Sequence, residues 1–329
     1  MRAGRVGGAI LFKRNVDGPE QVAELCAALR GAAPPDAPLL TCVDQEGGRV
    51  QRIRAPATEW PPMMGLQRHP PEVAYQVGRA LGAELAALGF ALDFAPVLDV
   101  HTNPANPIIG DRALGTDPEA VAARGVALLR GLHDAGVGSC GKHFPGHGDT
   151  ITDSHLDLPV VPHDEARLRA VELPPFARAV AAGVPMIMTA HVLFPALDAA
   201  VPATLSPRVL GLLRRDLGFA GVIVSDDLEM KAVADRYDVE TLAVEGLRAG
   251  CDAFLVCHRA DLQERACAAL VRAAERDAAT RARLAEAAGR MASLRRRFAG
   301  APYAPPPDLR ARLGTAAHRA LAARLAAPA

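Results

Sequence analysis

The sequence predicts an α/β fold, a (β/α)8 barrel of the TIM type with the first strand missing at the N-terminus. Three observations predict it. Short apolar runs alternate with amphipathic stretches along most of the chain. Polar residues fall at the C-terminal ends of several different runs, where barrel enzymes build their sites. The chain has 329 residues, 50% of them hydrophobic, which suffices for one large core.

Taken in order, the strand candidates are Ala9–Phe12, Leu39–Val43, Ala91–Ala95, Gly138–Lys142, Met186–Thr189, Gly221–Ser225 and Ala253–Val256. Helical stretches lie near 19–32, 72–87, 117–134, 164–183, 206–217, 237–249 and 260–275. The strands are one short of eight, and only eight residues precede Ala9. Asp44, Lys142 with His143, His191 and Asp226 each end a different strand. A doubly wound open sheet, the competing fold, would gather such residues at one switch point. Residues 1–298 form the predicted barrel domain. Residues 299–329 follow as a linker with four prolines (Ala299 to Pro307) and a last helix, about 308–325, packing on the barrel.

Lysine plus arginine and aspartate plus glutamate balance at 37 each, so no large net field draws nucleic acid or an anionic membrane. The run Arg295, Arg296, Arg297 ends a helix-like segment, where cations suit the macrodipole. Cys26, Cys42, Cys140, Cys251, Cys257 and Cys267 form no C-x-x-C pair, which points to buried free thiols in a reducing compartment. The short apolar run Val6 to Phe12 is no signal peptide. The longest uncharged stretch, Ala179 to Leu197, holds two prolines, a glycine and His191, and so is no membrane span. A cytoplasmic, monomeric protein is expected.

Chemistry concentrates in the segment from Lys142 to His155, which packs three histidines, one lysine and two aspartates into fourteen residues. Its Gly146 and Gly148 shape it as a loop after a strand, and polar crowding on a loop points to function. Asp153 and His155 stand two apart, so the carboxylate can fix the imidazole tautomer and favour its protonated form. Taken alone, such a pair equally well ties a loop. A second group, Val222 to Met230, is an apolar strand ending in Asp226 and Asp227. A buried unpaired carboxylate is costly, so Asp226 is assigned to chemistry and Asp227 to capping a helix near Leu228. The third is Val43 to Arg52, where Asp44 and Arg52 suit the hydroxyls and amide of a polar ligand. Its Gly47-Gly48 lacks the spacing of a dinucleotide fingerprint. The fourth is Asn106 to Arg112, whose Arg112 could equally serve a rim salt bridge to Asp111 or Asp99.

These four segments together resemble glycoside hydrolase family 3, in its β-N-acetylglucosaminidase (β-hexosaminidase) branch. The matching pieces are V-D-Q-E-G-G-R-V-Q-R at 43–52, I-G-D-R at 109–112, K-H-F-P-G-H-G-D-T…D-S-H at 142–155 and S-D-D-L-x-M at 225–230. The resemblance implies Asp226 as nucleophile, His155 as acid/base and Asp153 as its partner. It implies that Asp44, Arg52, Arg112, Lys142 and His143 bind N-acetylglucosamine. It implies no metal or organic cofactor, and as substrate N-acetylglucosamine β-1,4-linked to anhydro-N-acetylmuramyl peptides in peptidoglycan recycling. A retaining mechanism sets the two catalytic groups about 5–5.5 Å apart, with a glycosyl-aspartate between two displacements. An imidazole acid also avoids a second anion beside Asp226 and leaves phosphate open as an acceptor. Family members usually begin with a further strand and loop before the segment matching Gly7–Asn15, which explains the short strand count.

Three rival readings remain at this stage. A metal-dependent hydrolase on the same barrel could use His143, His147, His155, Asp149 and Asp153 as ligands. A non-catalytic sugar-binding protein could retain the scaffold. A different glycoside, such as a glucoside or xyloside, could be the substrate.

Overall fold

A computed structural model describes residues 6–151 and 157–327. The chain divides into two compact units. One comprises Met1–Leu98, Asp111–Gly141 and Ser293–Ala329; the other comprises Asp99–Gly110 and Lys142–Ala292.

In the first unit, β1 (Gly8–Leu11), β2 (Leu40–Val43), β3 (Leu92–Asp93) and the start of β4 (Gly138–Phe144) pair in parallel. All four residues of β2 are buried, as expected of a strand covered on both faces. Helix α1 (Pro19–Gly31) crosses from β1 to β2, and α2 (Pro71–Ala87) leads to β3. Helix α3 (Pro118–Asp134) starts at the Asp117 cap, whose carboxylate accepts the Ala120 N–H at 2.8 Å. Helices α2 and α3 cross at Gly78, where a Cβ would sit 2.2 Å from the Leu128 carbonyl oxygen, so only glycine allows the approach.

In the second unit the end of β4 neighbours β5 (Met186–Thr189), which is followed in the sheet by β6 (Val222–Asp227) and β7 (Ala253–Leu255), β5, β6 and β7 pairing in parallel. The Ala190 N–H donates to the Phe144 carbonyl at 2.8 Å and ties β4 to β5. Helices α4 (Pro174–Ala181) and α5 (Val239–Ala249) belong to these connections, and α6 (Ala260–Arg276) and α7 (Ala278–Ala299) follow β7, the residues of α7 from Ser293 on belonging to the first unit. Leu205, Leu228, Val233, Leu242 and Ala243 form a core cluster here. At the start of β7, the fully buried Asp252 gathers three arginines: Arg214, Arg283 at 2.7 Å and Arg290 at 3.0 Å. Its Oδ2 also accepts the Ile223 N–H at 2.9 Å. Removing this anion strands three cations, so Asp252→Asn is expected to cost about 3–5 kcal/mol of stability. Urea unfolding monitored by circular dichroism measures it.

Among the described residues the sheet has seven parallel strands, those predicted, all but Met186–Thr189 with shifted ends. β4 runs two residues past its predicted end, to Phe144, so His143 joins Lys142 in the strand, and both are buried. The expected helix over 164–183 is interrupted by a wider turn at Leu168–Glu172 before the Pro174-Pro175 pair starts α4. The last helix is likewise two pieces, Leu309–Arg312 and α8 (Ala316–Ala326), separated at Gly314 with φ +52°. Tyr303 Oη donates to the Ala87 carbonyl at 2.7 Å, and His318 Nδ1 lies 2.8 Å from Glu84 Oε1, both within the first unit. Cys26, Cys42, Cys140 and Cys251 are buried free thiols, Cys26 pushed up to about 12 by its burial. Cys257 and Cys267 are in no disulfide and are partly exposed. Among the described residues no helix is long and apolar enough to cross a membrane.

Candidate active site

Asp226 sits at the C-terminal end of β6, after three apolar residues and Ser225 that are all buried. Its Oδ1 accepts the Asp227 N–H at 2.8 Å. Burial alone would raise its pKa, but His143, His191, the Asp227 N–H and Lys142 outweigh that and hold it below the ordinary carboxylate value. Asp226 is thus an ionised, partly exposed carboxylate with an oxygen nucleophile's chemistry.

Lys142 and His143 reach this carboxylate from the end of β4, and both are buried. The placement of His143 depends on Asp99, which is 0% exposed. Asp99 Oδ1 accepts the backbone N–H groups of His143 at 3.1 Å and His147 at 2.7 Å. Its Oδ2 lies 2.7 Å from His143 Nδ1. A carboxylate can only accept, so the His143 proton is on Nδ1 and Nε2 is left as the ring's second polar atom. Burial raises the Asp99 pKa, yet the His143 and His147 side chains and their hydrogen bonds more than offset this and keep it ionised. The turn after β4 is packed just as closely. A Cβ on Gly148 would come within 1.8 Å of the Val100 carbonyl oxygen. Asn106 Nδ2 donates to the His147 carbonyl at 2.8 Å, and His147 Nδ1 lies 2.7 Å from Thr150 Oγ1. Asp149 pairs with His163.

Asp227 does not cap a helix. Its Oδ1 accepts the Glu229 N–H at 3.2 Å in a turn, and the short helix Lys231–Ala234 begins after Met230. The chain bends between β6 and that helix, which takes Asp227 out of capping reach.

In the first unit, Asp44 and Arg52 face each other across a short hairpin, Gln45–Gly47 with Val50–Gln51. Arg52 Nη2 lies 3.6 Å from Asp44 Oδ2, and its guanidinium lies over the Phe12 ring. Among the described residues the buried Arg52 Nε has no protein acceptor, which suits a polar ligand. Gln45 braces the hairpin: its amide donates to the Ile53 carbonyl at 2.7 Å and accepts the Arg52 N–H at 2.9 Å. Arg112 pairs with Glu46. Nε and Nη2 each donate to Glu46 at 2.8 Å, a bidentate pair with both side chains largely buried. Asp111 instead faces Arg49 at 3.6 Å.

The structure therefore brings Asp226, Lys142 and His143 together, and separately Asp44 with Arg52. Asp153 and His155 lie outside the described residues. Asp99, Glu46 and Gln45 are functional supports that the sequence did not disclose. The one signal for Asp99 was a charged residue inside the apolar run Val97 to Val100. Among the described residues no group of three or more His, Cys, Asp or Glu side chains is arranged to hold a metal ion.

Fold and site define an α/β enzyme with an ionised aspartate at the end of one strand and a lysine–histidine pair at the end of another. Comparison with known proteins gives its family. The pattern of the glycosyl hydrolase family 3 N-terminal domain matches residues 1–294. A β-hexosaminidase of Thiobacillus denitrificans is 43% identical over 272 residues, covering 80% of this chain and 75% of that protein. The structure of a glycoside hydrolase family 3 β-N-acetylglucosaminidase from Paenibacillus sp. FPU-7 superposes with a TM-score of 0.92 at 44% identity, covering 98% of this chain and 62% of that one. Native NagZ from Neisseria gonorrhoeae superposes with a TM-score of 0.80 at 35% identity, covering 99% and 94%. The chain belongs to glycosyl hydrolase family 3 and is an enzyme of the glycoside hydrolase class. Its fold is the α/β barrel of that family, with one strand fewer than eight among the described residues, as the sequence predicted.

Proposed function

We propose that this enzyme is a retaining exo-β-N-acetylglucosaminidase that removes the terminal non-reducing N-acetylglucosamine from β-1,4-linked muropeptides. The β-N-acetylhexosaminidase class has the support of the relatives named β-hexosaminidase and of the neighbours described as β-N-acetylglucosaminidases. The observation that carries the mechanism is the Asp226 carboxylate, kept ionised at the end of β6 beside Lys142, His143 and His191. In this reading Asp226 attacks the anomeric carbon and forms a glycosyl-aspartate. His155, oriented by Asp153, protonates the leaving oxygen and then deprotonates the water that releases the sugar. Lys142, His143, Asp44, Arg52 and Arg112 bind the sugar's hydroxyl and acetamido groups. His143 presents its Nε2 to the sugar, with the ring held by the Asp99 contact at Nδ1. Arg112 is preset by Glu46. The substrate assigns the enzyme to peptidoglycan recycling in the cytoplasm, acting as a monomer without metal.

A panel of nitrophenyl glycosides tests this reading. Hydrolysis of the N-acetyl-β-glucosaminide is expected to exceed that of the β-glucoside and β-xyloside by about 10⁴-fold, the size of discrimination that unpaired polar groups in a site enforce. A chelator is expected to leave the rate unchanged. A preference for the glucoside contradicts the substrate assignment. Loss of activity in chelator with recovery on adding zinc contradicts the metal-free mechanism.

A further inference from the structure

His191 follows β5 by two residues and is 1% exposed. Both of its ring nitrogens are engaged. Nε2 lies 3.1 Å from the Asp227 carbonyl oxygen, and Nδ1 lies 2.8 Å from Thr204 Oγ1. A carbonyl only accepts, so Nε2 carries a proton and donates it. Burial holds the ring below the ordinary histidine value, despite the opposing pull of the Asp226 carboxylate and the Asp227 and Asp226 backbone groups; nearby His143 pushes the same way as burial. The neutral ring then has its one proton on Nε2, and Nδ1 accepts from the Thr204 hydroxyl.

Thr204 Oγ1 is in turn 2.8 Å from Thr189 Oγ1, and both threonines are 0% exposed. Thr204 Oγ1 also lies 3.2 Å from the Ala190 carbonyl oxygen, but its single proton goes to the closer His191 Nδ1, so Thr204 accepts from Thr189. The donors run in one direction: Thr189, Thr204, His191, then the Asp227 carbonyl. At the far side of the same residue, the Asp227 N–H grips Asp226 Oδ1 at 2.8 Å. His191 and the Asp226 carboxylate are therefore joined through one residue's backbone, a route that bypasses substrate.

We propose that His191 is a positioning residue which, backed by Thr204 and acting through the Asp227 backbone, sets the aim of the Asp226 carboxylate at the reacting sugar carbon. The proposal rests on Asp226 being the nucleophile. A positioning residue of this kind governs the chemical step and leaves ground-state sugar binding nearly untouched. Misplacement of a reacting group by about 1 Å costs about 100-fold in rate.

The test compares two amides that differ in reach. In His191→Gln the side-chain nitrogen occupies the neighbourhood of Nε2 and donates to the Asp227 carbonyl. In His191→Asn the amide stops near the Nδ1 position and falls short of it. With the nitrophenyl N-acetyl-β-glucosaminide, kcat is expected to fall about 100-fold in His191→Asn and to return to within about 5-fold of the parent in His191→Gln. KM is expected to stay within about 3-fold in both. Thr204→Val, which removes the backing hydroxyl at constant volume, is expected to lower kcat about 10-fold, and Thr204→Ser to restore it. Far-ultraviolet circular dichroism and Tm establish that each variant is folded. Should the histidine variants fail to fold, the threonine pair decides. Equal loss of kcat in folded Gln and Asn variants overturns the proposal, as does a rise in KM at unchanged kcat, or a Thr204→Val enzyme with parental kcat. Asp226→Asn is run alongside. If that variant keeps its turnover, the nucleophile reading itself has failed. If it is inactive while the His191 and Thr204 variants are normal, only the present inference has failed.

Discussion

Asp226→Asn is expected to lower turnover of the nitrophenyl N-acetyl-β-glucosaminide by about 10⁴-fold, equivalent to about 5.5 kcal/mol of lost transition-state stabilisation. The substitution is isosteric. The asparagine carbonyl can still accept the Asp227 N–H that the carboxylate now accepts at 2.8 Å. What disappears is the anionic oxygen that bonds to the sugar, so kcat collapses while the fold remains. The electrostatics add a signature. Because His143, His191, the Asp227 N–H and Lys142 together overcome the effect of burial and depress the Asp226 pKa, the acid limb of kcat/KM set by this group is expected below its ordinary value of 3.8. Steady-state rates across the pH range measure both effects. Full turnover in the folded variant would remove Asp226 from the mechanism.

Asp99→Asn is expected to have the second largest effect, on stability and on activity together. The carboxylate accepts three hydrogen bonds, from His143 Nδ1 and from the His143 and His147 backbones. An asparagine amide brings N–H groups against at least one of those donors. Breaking a buried charged pair of this kind costs about 3–5 kcal/mol. Losing the hold on the His143 ring is expected to lower kcat/KM about 100-fold, as when a buried orienting contact is removed. The pH dependence has a definite sign. The folded Asp99 pKa lies below its unfolded value, so its stabilisation is fully present above about pH 4 and is lost as pH falls through the folded value. The stability gap between parent and variant is therefore expected to be flat at neutral pH and to close only in acid. Urea unfolding at several pH values measures it. A gap that widens in acid would contradict the assignment of Asp99 as an ionised acceptor.

Much of this architecture was legible in the residue pattern. The strand Met186–Thr189 is predicted and found with the same ends, because an apolar run between a Gly-Val-Pro turn and a polar stop has no competing period. Ala91–Ala95 shrank to Leu92–Asp93, since a short run discloses burial but not where ladder hydrogen bonds stop. β4 outran its prediction because glycines and histidines in the Lys142 segment have the composition of a loop, while the backbone of Phe144 pairs with Ala190. The site residues that project from strand ends were visible as charges closing apolar runs. The residues that hold them were hidden, because their partners are remote in sequence: Asp99 meets His143 across 44 residues, and Glu46 meets Arg112 across 66. Arg112 illustrates the cost. Its nearest acids in sequence suggested Asp111 or Asp99, and the tertiary fold adds Glu46, which no local reading offered. His191 was noted as a strand-end residue, but its link to Thr204 and the Asp227 carbonyl is a property of three separate elements brought together.

Covalent trapping tests most directly whether Asp226 bonds to the sugar. The enzyme is incubated with a fluorinated N-acetyl-β-glucosaminide that carries a good leaving group, quenched in acid, digested and mapped by mass spectrometry. The peptide containing Asp226 is expected to gain the mass of one fluorinated sugar, with fragmentation placing it on that carboxylate. A sugar adduct on any other residue, or turnover that never labels the protein and releases the inverted anomer, would contradict the account.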